Sequence, residues 1–236
     1  MFRKFINPGR LLRGTAITVD DCGVSRAALL LALRRTELFC RMPDALADLL
    51  LQTMAGRRVR EGAYLFREGD RGDSLLLKGD GVACVTQLRP GMMDARTLAR
   101  LTEPCVLGQE AFYGVEKRSV TVRMLSEGSV FHIRLGVFAD LVANDFVTWC
   151  EADAVPVDAH LLWIGDSRRR PRGLAGMPCV TIDCLKRYVR EAPAGDATYC
   201  CAKDDTIAAL ASFLLAQSGL KALAVRQGRK LSRGSA

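Results

Sequence analysis

"LGQEAFYGVEKRSVTV", from Leu107 to Val122, is the stretch on which the fold turns. It opens on a glycine-led turn, returns through Lys117, Arg118 and Ser119, and then passes into β-branched residues. An Arg-Ser pair placed just before a strand and brought back against that turn makes a small polar hollow. A short helix begun by Gly108 offers unpaired backbone N–H groups and the positive end of its dipole. Arg118 adds a planar fork able to grip two oxygens of an anion, and Ser119 adds a hydroxyl.

Outward from this stretch, residues 59 to 133 form a series of short β-prone runs punctuated by Gly and Asp: "GAYLFREGDRGDSLLL", "GDGVACVTQL", "RTLARLTEPCVLG", "KRSVTVRML" and "SVFHIRL". Turn signals at this density predict a β-sandwich or barrel, with Gly69, Gly72, Gly81 and Gly108 as its turn glycines. Upstream, "VSRAALLLALRRTELF" and "MPDALADLLLQTMAG" carry apolar residues at helical spacing; the second has Pro43 near its first turn and Gly56 as its stop. Downstream, "LGVFADLVANDF" predicts a closing helix.

Past Trp149 the pattern changes. "HLLWIG", "CVTI" and "ATYCC" read as short buried strands, while "DCLKRYVREA" and "TIAALASFLLAQSG" read as helices, the latter stopped by Gly219. Strands alternating with helices predict a small parallel α/β unit. "GDSRRRPRG", residues 165 to 173, is expected to be a solvated basic loop around Pro171, and "RQGRKLSRGSA" a frayed tail.

The chain has 236 residues, enough for one large or two modest domains with their own cores. Its +8 formal charge points weakly to a polyanion partner, because the arginines are spread along the chain as well as clustered. In "MFRKFINPGRLLRG" the apolar residues are interrupted by Asn7, Pro8 and Gly9, so no secretory core forms, and no apolar run approaches the roughly 20 residues that span a bilayer. A cytoplasmic location and reduced, mostly buried thiols are therefore expected for the nine cysteines. Cys179 and Cys184 lack the spacing of a zinc knuckle and only His132 and His160 accompany them, so no metal is expected.

Taken together and in order, "MPDALADLL", "REGAYLFREGDRGDSLLL", "LGQEAFYGVEKRSVTV" and "FADLV" resemble the cyclic nucleotide-binding domains, such as that of catabolite activator protein, over about Leu33 to Ala143. The family cassette runs Gly-Glu-x-Ala-Leu, then Pro-Arg-Ser/Thr-Ala-x-Val after a spacer. Gly108, Gln109, Glu110, Ala111 and Phe112 fall on the first part, and Lys117 to Val122 on the second. The resemblance implies that Arg118 and Ser119 hold the phosphate of cyclic AMP or cyclic GMP, with backbone from Ala111 and Phe112 closing the ring. This chain departs from it twice. The family Glu that accepts the ribose 2′-hydroxyl is the neutral Gln109 here, and "VANDFVTWCEADAVPVD" breaks the long helix that covers the base in nucleotide-gated regulators.

Residues 155 to 228 resemble, more faintly, a rhodanese domain, through "HLLWIG", "AGMPCVTIDCLKRYVREAP" and "ATYCCAKDDTIAALASFLLAQSGLKALAV". Active members place a Cys at the start of a Cys-x-x-Gly-x-Arg-Ser loop. Here the loop is "CCAKDDT", without the Gly and the Arg, and an ungapped alignment puts Ala202 at the nucleophile's place. Cys201, or Cys200, is the candidate nucleophile, with Asp204 and Asp205 expected to face it and raise its pKa; otherwise those acids cap the following helix.

The expected architecture is a two-domain α+β chain: a β-barrel or jelly roll with flanking helices, then a small parallel α/β rhodanese-like domain. The expected boundaries are 1–24 for a basic extension, 25–146 for the nucleotide-binding barrel, 147–228 for the α/β domain and 229–236 for the tail. The leading expectation is a non-enzymatic sensor that takes a cyclic nucleotide or related anion and uses its second domain for contact with a protein partner. A sulfurtransferase using Cys201 is one alternative. A transcriptional regulator of the catabolite activator type is another, disfavoured because no helix-turn-helix follows the barrel and "TIAALASFLLAQSG" is too apolar to lie on DNA.

Overall fold

The computed structural model describes residues 15–89, 94–113, 117–171, 176–192 and 195–226. In chain order its elements are β1 (Ala16–Ile17), α1 (Arg26–Arg34), α2 (Asp44–Thr53), β2 (Ala55–Val59), β3 (Tyr64–Phe66), β4 (Ser74–Lys78), β5 (Ala83–Leu88), β6 (Ala95–Leu101), β7 (Cys105–Leu107), β8 (Thr121–Met124), β9 (Gly128–Arg134) and α3 (Leu135–Asp145). They continue with β10 (Trp149–Glu151), β11 (His160–Ile164), β12 (Cys179–Val180), α4 (Leu185–Glu191), β13 (Thr198–Ala202), α5 (Asp205–Gln217) and β14 (Ala222–Arg226). The chain divides into two compact units, residues 1–36 with 43–134, and residues 37–42 with 135–236.

The first unit holds two antiparallel sheets, ordered β1-β2-β9-β4-β7 and β3-β8-β5-β6. Val59, Leu65, Phe66, Leu76, Ala83, Val122, Met124 and Val130 fill the space between them. β4 is buried along most of its length because Leu76 faces this core while Leu75 and Leu77 lie on the other side of the strand, where α1 packs. Its last residue, Lys78, is fully buried and donates Nζ to the carbonyls of Gly81 at 2.7 Å and Gly79 at 3.3 Å. The buried ammonium is thereby satisfied by the turn it closes. The tail residues 227–236 and residues 1–14 lie outside the described residues, as do Arg172 and Gly173 of the basic loop.

The two helices expected at the start are present. Ser25 caps α1 by accepting the N–H of Ala28 at 3.2 Å, and Leu29, Ala32 and Leu33 form its buried stripe. α2 follows Pro43 and buries Leu46, Ala47, Leu50 and Leu51. Gly56, expected as its stop, lies instead inside β2. An added Cβ there would come within 2.4 Å of the Ile17 carbonyl and 2.7 Å of the Phe131 ring, so this glycine is required by sheet packing, and Met54 ends the helix by turning extended. β1 lies within the segment read as an extension, because Ala16 and Ile17 pair with Arg57 and Gly56.

In the second unit all five strands run parallel, in the order β10-β14-β13-β11-β12. α5 packs on β14, β13 and β11, and α3 and α4 pack on α5. Asp204 caps α5 by accepting the N–H of Thr206 at 2.9 Å, and Gly219, at φ +92°, ends it. Nine of the thirteen residues of α5 are buried, which explains a segment that reads apolar all round. A file of aromatic rings, Phe39, Phe138 and Phe213, meets edge to face at centroid distances of 5.8 and 5.6 Å. For this reason the compact units part at Arg134, one helix earlier than the expected 146/147 boundary.

The basic stretch read wholly as a loop contains one 3₁₀ turn, Ser167–Arg169, whose N-cap Asp166 accepts the N–H of Arg168 at 2.9 Å. All nine cysteines are unpaired. Among the described residues no helix is long and apolar enough to cross a membrane.

Candidate functional site

Arg118 lies between a bridge at Lys117 and the start of β8. Its backbone is fixed first: its N–H donates to the Asp70 carbonyl at 2.8 Å, and its carbonyl accepts the Gly69 N–H at 2.9 Å. The facing turn is itself closed by the Asp70 carboxylate, which accepts the Arg67 N–H at 2.8 Å. With its main chain hooked to this turn, the side chain has one direction to go, inward.

Arg118 is 4% exposed. Nη1 donates to the Gly108 carbonyl at 3.0 Å and Nη2 to the Ser74 carbonyl at 2.6 Å, while Cζ sits 4.6 Å above the Phe66 ring. Nε–H is buried with no hydrogen-bond partner. Two glycines make the room. A Cβ on Gly72 would lie 3.3 Å from Cζ and Nε, and a Cβ on Gly108 would lie 2.1 Å from Nη1. Gly108 also has φ +74°, a conformation suited to glycine.

Burial pushes the Arg118 pKa down, and the carboxylates of Glu110, Asp73 and Asp70, in that order, hold it up. Glu110 Oε1 stands 3.8 Å from Nη1, within Coulombic range and outside hydrogen-bonding distance. Gln109 presents a second orphan, since its Oε1 is buried without a partner. Arg118 thus leaves one donor of its cation unfilled, and Gln109, on the adjoining 3₁₀ turn, leaves one amide acceptor unfilled.

The structure brings Gly108, Gln109, Glu110 and Arg118 together. Ala111 and Phe112 are buried behind them on a five-residue 3₁₀ turn, Gln109–Tyr113. A single turn carries little of the dipole that a longer helix would bring, and the Ala111 N–H donates to Gly108 at 3.3 Å. Ser119 is exposed, and its carbonyl accepts Gln87 Nε2 at 3.1 Å. The sequence reading missed Ser74, Phe66 and the spacing role of Gly72. The run "GDRGDS" ahead of β4 was the available signal, because a glycine two residues before a half-buried serine leaves space for a large neighbour. Two open clefts of about 400 Å³ elsewhere on this unit, one walled by Arg35 and Glu103 and one by Ile17 and Arg57, include no residue of the cassette.

The candidate nucleophiles are differently placed. Cys200 and Cys201 both lie within β13, and Cys201 pairs in register with Trp163. Cys201 is 5% exposed and packs among Trp163, Met177 and Val225. Burial, with Cys150 nearby, pushes its thiol up to about 11, and burial pushes the fully enclosed Cys200 up as well. The cause is desolvation where facing acids were expected, since Asp204 is engaged in capping α5. Among the described residues no group of three or more His, Cys, Asp or Glu side chains could hold a metal ion.

Residues 56–145, running from β2 through α3, match the family model described as Cyclic nucleotide-binding domain. No curated protein matches the chain. Among solved structures, the N-terminal domain of a transcriptional regulator from Streptomyces coelicolor A3(2) is 24% identical over 47% of this chain and 79% of its own, with a TM-score of 0.43. The regulatory domain of Toxoplasma gondii PKA, crystallised with cAMP, is 21% identical over 49% of this chain, with a TM-score of 0.44; the match spans 43% of that chain. A cyclic nucleotide-binding domain from Methylobacillus flagellatus KT is 21% identical over 50% of this chain and 66% of its own, with a TM-score of 0.45. The family match encloses both halves of the cassette, from Gly108 to Arg118.

Proposed function

We propose that this chain is a regulatory module that binds a cyclic nucleotide, cyclic AMP or cyclic GMP, in the hollow around Arg118. The observation that carries the reading is the pair of buried orphans, Arg118 Nε–H and Gln109 Oε1. An unpartnered buried polar group costs about 1 to 3 kcal/mol, so a ligand that supplies the missing partners recovers it. A cyclic phosphodiester brings acceptor oxygens for the guanidinium, and a ribose hydroxyl brings a donor for the amide oxygen. The guanidinium is already oriented by Gly108 and Ser74, so little ordering is needed at the moment of binding. Ser119, on the rim, is the further hydroxyl within this reading.

The same proposal takes residues 147–228 as a rhodanese-like domain used for contact or signalling. The all-parallel sheet with cysteines in β13 supports the likeness, and the buried, high-pKa Cys201 supports the loss of catalysis. The test is isothermal titration of the full chain with cyclic AMP and cyclic GMP, alongside Arg118→Ala. Binding by the natural chain and none by the folded variant is the expected result. Absence of heat at millimolar ligand from folded protein would remove the proposal.

A further inference from the structure

The guanidinium of Arg118 is held among its neighbours: its side chain is 3% exposed and two carbonyls accept from its terminal nitrogens. Glu110 is in the opposite situation. Its side chain is 28% exposed and borders the same nitrogen, Nη1, at 3.8 Å. At that separation it forms no hydrogen bond, yet it holds a carboxylate within Coulombic range of Nη1. Asp73 and Asp70 add to that field.

We infer that Glu110 is a resident competitor for Arg118: a ligand phosphate reaches the guanidinium only by displacing this carboxylate toward solvent, and Glu110 thereby sets the affinity of the site. The inference rests on the cyclic nucleotide reading above. A phosphate oxygen that approaches Nη1 from the side of Glu110 meets Oε1, which stands 3.8 Å from that nitrogen, unless the carboxylate turns outward. Like charges held that near in a half-buried hollow repel. The residue can yield because it is partly in water and sits on a single 3₁₀ turn, Gln109–Tyr113. Gln109, beside it, lacks charge and offers only its lone pairs, so the repulsion against an incoming anion from this turn comes from Glu110 alone among the two.

The experiment is isothermal titration of cyclic AMP and of cyclic GMP into the full chain and into Glu110→Gln, Glu110→Ala and Arg118→Ala, each first checked for folding by circular dichroism. Glu110→Gln keeps the shape and removes the charge, and the expected result is binding about tenfold tighter than the natural chain, with Arg118→Ala silent. Glu110→Ala gives the same direction and replaces Glu110→Gln should that variant fail to fold. Binding by the glutamine variant where the natural chain shows none supports the inference equally. If the natural chain binds and neither Glu110 variant binds tighter, the inference is overturned and the cyclic nucleotide reading stands. Silence from the natural chain and from both Glu110 variants overturns the two together.

Discussion

The Cβ that Gly108 lacks would fall 2.1 Å from Nη1 of Arg118, so the most buried cation of the hollow occupies the volume of a missing side chain. The contact couples a backbone conformation to a charge. Gly108→Ala is expected to displace the guanidinium and strain the turn at φ +74°, lowering stability by about 1 to 3 kcal/mol and abolishing cyclic nucleotide binding. Urea denaturation and titration of the same sample measure both.

Gly72→Ala offers a graded comparison. Its Cβ would meet Cζ and Nε at 3.3 Å, so the Arg118 side chain would have to give by only a few tenths of an ångström. A stability loss of about 1 kcal/mol or less is expected, with binding weakened rather than lost. A loss equal to that of Gly108→Ala would show that the two glycines do not differ as their distances require.

Arg118→Lys keeps a positive charge and loses the fork. An ammonium on a flexible stem does not reproduce the two directed bonds to Gly108 and Ser74. The variant is expected to be less stable by about 1 to 3 kcal/mol and to bind the ligand at least tenfold more weakly. Thermal denaturation with titration decides it, and full retention of affinity would mean that charge alone suffices.

In the second unit, Cys201 carries a thiol raised from 9.0 to about 11 in the folded chain. The folded state holds this proton more tightly than the unfolded state, so the stabilisation is complete below pH 9 and is lost as pH rises from about 9 through about 11. The melting temperature should fall across that window, and Cys201→Ala should flatten the fall. In a thiol-labelling assay at pH 8, Cys40, which is exposed, is expected to react early, and Cys200 and Cys201 only with unfolding.

Asp204→Ala removes the cap of α5 and is expected to cost about 0.5 to 2 kcal/mol. Because burial and Cys150 raise the Cys201 thiol, the labelling rate of Cys201 in folded protein should not rise in this variant. An acceleration would restore the facing-acid explanation.

The barrel was legible because its runs and turns follow local rules: the short β-prone runs, the glycine turns, and Pro43 near the start of the second helix. Arg118 was legible because its place in the cassette is a matter of order along the chain. The partners of its guanidinium were not, since Ser74 is 44 positions away and meets Nη2 only once β4 and the 117–120 loop are folded together. The placement of Cys201 escaped for another reason. "TYCCA" is buried on both faces of a parallel strand, so no polar alternation shows which of two adjacent thiols faces Trp163. Gly56 was misread because a glycine shortly after a helical pattern serves equally as a helix stop or as a gap for a ring, and the ring belongs to Phe131, far along the chain.

The family match stops at residue 145, and a cut made there would keep Phe138 while discarding the ring of Phe213 against which it rests. A piece cut there would therefore expose an aromatic surface, and clumping of such a piece would report a severed hydrophobic seam rather than an unfolded barrel.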